Sequence, residues 1–77
     1  MQHKEIEDHA RLIWEKALGV DISDDTDFFD VGGHSFLALQ IIADMDAVYG
    51  TRLPLRVLYE NWRFEDFVAA VISELVT

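Results

Sequence analysis

Apolar residues recur at spacings of four, three and four early in the chain, at Ile6, Ala10, Ile13 and Ala17, and Trp14 and Leu18 broaden the stripe. That period predicts an amphipathic helix from about Lys4 to Leu18, ended by Gly19. From Val20 to His34 the period disappears and Asp, Ser, Thr and Gly take over. A connection this long in so short a chain is expected to be functional or anchored, and at least one of Phe28 and Phe29 should bury its ring to pin it. Helical periodicity returns with Ala38, Ile41, Ile42, Met45 and Val48. These predict a second helix from about Ser35 to Tyr49, with Gln40, Asp44 and Asp46 facing water and Gly50 closing it. Pro54, in Leu53-Pro54-Leu55, suits the first position of a short third helix through about Glu60. A last helix from about Phe64 to Val76 directs Phe64, Phe67, Val68, Val71 and Leu75 inward.

Four such helices, with no convincing strand, can bury their stripes only against one another. The expected fold is therefore all-α: a small four-helix bundle of three longer helices and one short one, with a long loop between the first and second. No repeat, low-complexity stretch or linker is visible, so residues 1–77 read as a single domain.

Composition narrows the chemistry. A hydrophobic fraction of 51% argues for a folded globule rather than a disordered acidic segment. The chain has no cysteine, which excludes disulfides and thiolate metal sites. No apolar run reaches the length of a membrane span and the first residues do not form a signal peptide, so a cytoplasmic protein is expected. The formal net charge of −9 opposes binding to nucleic acid and to anionic membranes. It favours partners with basic faces.

One segment can carry chemistry. Gly32-Gly33-His34-Ser35 places a primary hydroxyl at the start of the second helix, behind two residues without side chains. Taken alone, the plain reading comes first: serine is a preferred N-cap, and glycines before a helix are ordinary turn residues. The flanks shift that balance. Asp27-Phe28-Phe29-Asp30-Val31 precedes the segment and Phe36-Leu37-Ala38-Leu39 follows it, in an acidic all-helical chain.

With those flanks the stretch resembles the thiolation motif of carrier proteins, above all the peptidyl carrier domains of nonribosomal peptide synthetases. The resemblance runs from Trp14 through Leu53-Pro54-Leu55 to the final helix. It implies an acyl-carrier-type bundle and a non-catalytic carrier. Ser35 would receive 4′-phosphopantetheine from coenzyme A through a separate phosphopantetheinyl transferase. The arm's thiol would then shuttle thioester-bound aminoacyl or peptidyl groups between adenylation, condensation and thioesterase enzymes or domains. Gly32, Gly33, His34 and Phe36 would be the motif the transferase recognises, the glycines by removing bulk and permitting unusual backbone angles. Val31, Phe36 and Leu37, with Val57 and Leu58 of the third helix, would form the docking surface, although Leu37 reads equally as core. His34 is read as a subtype marker and not as a base, since neighbouring side chains at a helix start rarely aim at each other. A monomer is expected.

The chain departs from the family pattern twice. Ile42-Ala43-Asp44-Met45-Asp46 is acidic where many peptidyl carriers place arginines, which keeps open the alternative of an acyl carrier from a polyketide or fatty-acid pathway. Trp62-Arg63 stands where relatives carry a proline-threonine cap, for which Asn61 is the candidate substitute. Other classes fit worse. A serine hydrolase needs a Gly-X-Ser-X-Gly elbow, and Leu37 occupies the last glycine position. A calcium loop beginning at Asp21 has Thr26 in place of its glycine and Gly32 where a bidentate glutamate belongs. His3, His9 and His34 lack any metal-ligand spacing, so no metal is expected.

Overall fold

The computed structural model describes residues 3–76. It contains helices α1 (His3–Leu18), α2 (Ser35–Tyr49), α3 (Arg56–Tyr59) and α4 (Phe64–Leu75). Among the described residues the nearest approach to a strand is an isolated antiparallel bridge between Asp27 and Arg63. The third helix, expected to begin at Pro54, starts later. The Pro54 carbonyl only opens the turn, accepting from the Val57 amide at 3.0 Å, and regular helix covers Arg56–Tyr59.

The core is a column of aromatic and aliphatic side chains between α1, α2 and α4. Trp14 is at its centre, fully buried, with its ring centroid 5.7 Å from Phe28, 5.2 Å from Phe64 and 5.3 Å from Phe67. The Phe28 and Phe64 contacts are edge-on, which suits the ring quadrupoles. The Trp14 indole N–H has no hydrogen-bond partner among the described residues in this apolar setting. Ile6 and Ala10 of α1, Ala38, Ile41, Ile42 and Met45 of α2, and Phe67, Val68 and Val71 of α4 join the core, with Ile22, Leu53, Val57 and Leu58 from the segments between these helices.

Four residues need their inward or outward assignment corrected. Val48 is 49% exposed rather than core. It borders a shallow groove with Leu12, Ile13, Lys16, Asp44 and Ala47, while its neighbour Tyr49 turns inward and meets His9 Nδ1 through its hydroxyl at 2.7 Å. Burial, and then the nearby Glu5 charge, push the Tyr49 phenol above its ordinary value. Val57 and Leu58 are 2% and 0% exposed. A four-residue helix has no second apolar face to spare, so both are core and neither can belong to a docking surface. Asp46 does not face water freely: its Oδ1 accepts from the Leu53 amide at 2.8 Å and from the Thr51 hydroxyl at 3.0 Å. It anchors the link from α2 to α3.

The loop between α1 and α2 is pinned along its length. Arg11 of α1 donates to the Ile22 carbonyl and, at 2.9 Å, to Asp24 Oδ1. The Thr26 and Asp24 carbonyls accept from the amides of Phe64 and Glu65, both at 2.9 Å. Phe28 N–H donates to the Trp62 carbonyl at 2.8 Å, and its ring is fully buried. Phe29, by contrast, is 47% exposed and stacks on Tyr59 and against Trp62 at the surface.

Candidate functional site

Asp27 starts the turn that leads to the site. Its Oδ1 accepts from the Phe29 amide at 2.8 Å and the Asp30 amide at 3.2 Å, the side-chain mimic of a backbone turn that aspartate supplies. The chain then folds back. Gly32 N–H donates to the Phe29 carbonyl at 3.2 Å, and Gly33 N–H donates to the Phe28 carbonyl at 2.9 Å.

The two glycines do different work. Gly32 has φ +95°, a conformation other residues adopt only with strain, and space around it is open. Gly33 has no such φ; a Cβ there would lie 2.5 Å from both the Phe28 ring and the Phe28 carbonyl oxygen. The expectation of unusual backbone angles at both glycines is therefore corrected for Gly33, which has no positive φ. It lacks a side chain so that this turn can close on Phe28.

His34 follows in extended conformation as the N-cap of α2, and it makes no side-chain capping hydrogen bond. Its carbonyl accepts from the Ala38 amide at 2.9 Å, the first bond of the helix. Ser35 is thus the first helical residue rather than the cap. It is exposed, and no hydrogen bond to the described residues takes up its hydroxyl. The amides of Ser35, Phe36 and Leu37 also find no acceptor among the described residues, and the first turn carries no acidic residue. Three free amides at the positive end of a helix dipole, beside an unhindered hydroxyl, form a place where an oxygen can acquire a phosphate and the phosphate is then stabilised.

Beside the hydroxyl, Phe36 is 68% exposed and Leu39 55%. Leu37 and Val31 are half-buried, and Leu37 packs against the core. Asn61 is not the missing cap of α4: its Nδ2 donates to the Val57 carbonyl at 3.0 Å, closing α3 instead. The loop carbonyls of Asp24 and Thr26 do that capping. The Asp21-Ser23-Asp25 spacing also resolves into local turn bonds, with Ser23 Oγ 2.8 Å from Asp25 Oδ1. Among the described residues no group of three or more His, Asp or Glu is gathered closely enough to hold a metal.

Sequence reasoning missed Arg11 and Asp27 as loop anchors. Each left a signal: Arg11 precedes the acidic loop Asp21-Asp24-Asp25, and Asp27 heads a turn sequence.

An exposed, unbonded serine on a polarised helix start has the geometry a phosphate ester would need, in a four-helix scaffold. The phosphopantetheine attachment site family model matches residues 9–71, and the chain belongs to that family. The phosphinothricin tripeptide synthetase PhsC of Streptomyces viridochromogenes is 40% identical over 70 residues, 90% of this chain but 6% of that protein's length. In structure the chain is similar to BlmI, a type-II acyl carrier protein from Streptomyces verticillus involved in bleomycin biosynthesis (TM-score 0.89, 27% identity, 95% of this chain and 89% of that one). It is also similar to a peptidyl carrier protein in the complex of the phosphopantetheine transferase Sfp with coenzyme A (TM-score 0.80, 32% identity, covering 88% and 90%). The prosthetic group of such a carrier is 4′-phosphopantetheine, and domains of this kind are generally non-catalytic. The residues present fit it: the α2 N-terminus has an accessible nucleophile, unfilled donors and no competing carboxylate.

Proposed function

We propose that this chain is a peptidyl carrier, loaded on Ser35 and working within nonribosomal peptide synthesis. The observation that supports it most is the free Ser35 hydroxyl at the first position of α2, beside three unmet amides. In loading, Ser35 Oγ attacks the phosphorus of coenzyme A that bears the pantetheine. The Oγ–P bond forms, the bond to 3′,5′-adenosine bisphosphate breaks, and the serine proton passes to a base of the transferase. His34, exposed at the cap, plays no part in that transfer. The arm, once attached, supplies a thiol that holds aminoacyl or peptidyl groups as thioesters.

The chain's own residues then present the arm. The α2 amides would hold the phosphodiester at the helix start, and Gly33 against Phe28 fixes where that start lies. Phe36 gives partners an apolar contact beside the arm, with Val31 and Leu37 at its edge. From α3 only the exposed Arg56 and the half-buried Tyr59 replace the two buried residues assigned there from sequence. Partners are a phosphopantetheinyl transferase and the adenylation, condensation and thioesterase components of a synthetase, met by a monomeric carrier. Of the two acidic residues on α2, Asp46 is held internally, so the alternative of a fatty-acid-type carrier loses half of its support.

Incubation with coenzyme A, magnesium and a broad-specificity transferase should add one phosphopantetheine to the intact mass. Ser35→Ala should abolish the gain while leaving the helical circular dichroism unchanged. A wild-type chain left unmodified by a transferase that loads another carrier in the same tube would sink the proposal.

A further inference from the structure

We propose that Arg11, far from Ser35 in sequence and on another helix, is a positioning residue for loading: it holds the first half of the site loop in its docking conformation. This rests on the carrier reading above. The guanidinium reaches the loop with both terminal nitrogens, Nη1 to the Ile22 carbonyl and Nη2 to Asp24 Oδ1 at 2.9 Å. Glu7 steadies it from within α1 at 3.4 Å, and its Cζ lies 4.8 Å from the centre of the Phe64 ring. Ile22 is gripped from its other side as well, since its amide donates to Glu15 Oε2 at 3.3 Å.

The held segment has consequences downstream. Asp24, whose carboxylate meets Arg11, also gives its carbonyl to Glu65 N–H, and Thr26 gives its carbonyl to Phe64 N–H. Two residues on, Phe28 enters the core and supports Gly33, which leads into His34 and Ser35. Arg11 and the start of α4 therefore clamp residues 22–26 from two sides, and the turn before the nucleophile grows out of that clamp. Without the fork, Phe28 still tethers the loop, but the polar link left between residues 22–26 and α1 among the described residues is the longer Ile22–Glu15 bond, and Asp24 loses its partner there. A transferase would then have to order them on binding, and that entropy weakens association without altering the chemical step.

Arginine is specific to this task. A lysine offers one ammonium that cannot span the Ile22 carbonyl and Asp24 carboxylate in fixed geometry. Loading kinetics of the 77-residue chain with coenzyme A, magnesium and a broad-specificity transferase test this, at varied carrier concentration. Arg11→Gln should raise the KM for the carrier about tenfold with kcat within about twofold, the signature of lost binding rather than lost chemistry. Arg11→Lys should recover only part of it. Asp24→Ala, which leaves α1 untouched, should raise KM about threefold, and the double variant should be no worse than Arg11→Gln, since the two act through one contact. Amide hydrogen exchange should quicken at residues 22–26 and not in α2. Unchanged KM in both single variants, with or without a lower Tm, overturns the inference and leaves the carrier reading standing. A wild-type chain that accepts no phosphopantetheine overturns both.

Discussion

At the start of α4 the amides of Phe64 and Glu65 meet the carbonyls of Thr26 and Asp24, and Glu65 and Asp66 place negative charge in the first turn. At the start of α2 the amides of Ser35, Phe36 and Leu37 meet no acceptor among the described residues, and the first turn is apolar apart from the serine. Every helix begins with unsatisfied amides and a positive partial charge. In α4 that potential is consumed within the fold, holding the site loop. In α2 it is left free beside a hydroxyl. The difference separates a helix start used for stability from one kept for a phosphate.

Phe28 connects the two, so changing it should have the largest effect. Its amide bonds to the Trp62 carbonyl ahead of α4, and its ring supports Gly33 ahead of α2. Phe28→Ala should cost about 3–5 kcal/mol, read by denaturant unfolding, because a fully buried ring leaves a cavity. In a domain this small, that loss should leave much of the chain unfolded and loading poor. Gly33→Ala comes next. Its Cβ collides with ring and backbone together, and neither can yield freely, so about 1–3 kcal/mol of destabilisation is expected. The displacement falls directly before Ser35, and loading should drop with stability. Gly32→Ala meets open space and should be limited to about 1 kcal/mol of backbone strain. Equal losses at the two glycines would break the distinction between them.

The sequence pattern carries this fold well where a stripe has a single face. α1 and α4 follow their 3.6-residue period to within one residue at each end. It carries α2 less well, because Phe36, Leu39, Ala43, Ala47 and Val48 make the outer face apolar too. Periodicity then cannot say that Tyr49, not Val48, turns inward. The misplacement of Val57 and Leu58 has a related cause: four residues are too few to show a period. Ser35 could be found from its flanks, yet its freedom from capping could not, since serine before an apolar stripe reads the same in both roles. Arg11 was signalled only by the acidic loop that follows it, not by any periodicity. Its partners are 11 and 13 residues away, and nothing in the spacing reports them.

Exchanging the charges of the two helix starts tests the comparison with the smallest changes in stability. Phe36→Glu gives α2, at its second position, the carboxylate that Glu65 gives α4. The dipole should favour it, raising stability by about 0.3–1 kcal/mol in thermal or denaturant unfolding. Loading should fall at least about tenfold all the same, because the new charge faces the incoming pyrophosphate and removes an apolar contact. Added salt should restore part of the charge-dependent loss, whereas Phe36→Ala, which removes the contact alone, should show no such recovery. Glu65→Gln should do the reverse, lowering stability by about 0.3–1 kcal/mol and leaving loading unaltered. The neutral glutamine can still accept from Arg63, so the change chiefly removes charge from the turn. If Phe36→Glu both stabilised the fold and loaded at the wild-type rate, the open charge of the α2 N-terminus would have no part in receiving the phosphate. The contrast between the two helices would then be one of capping alone.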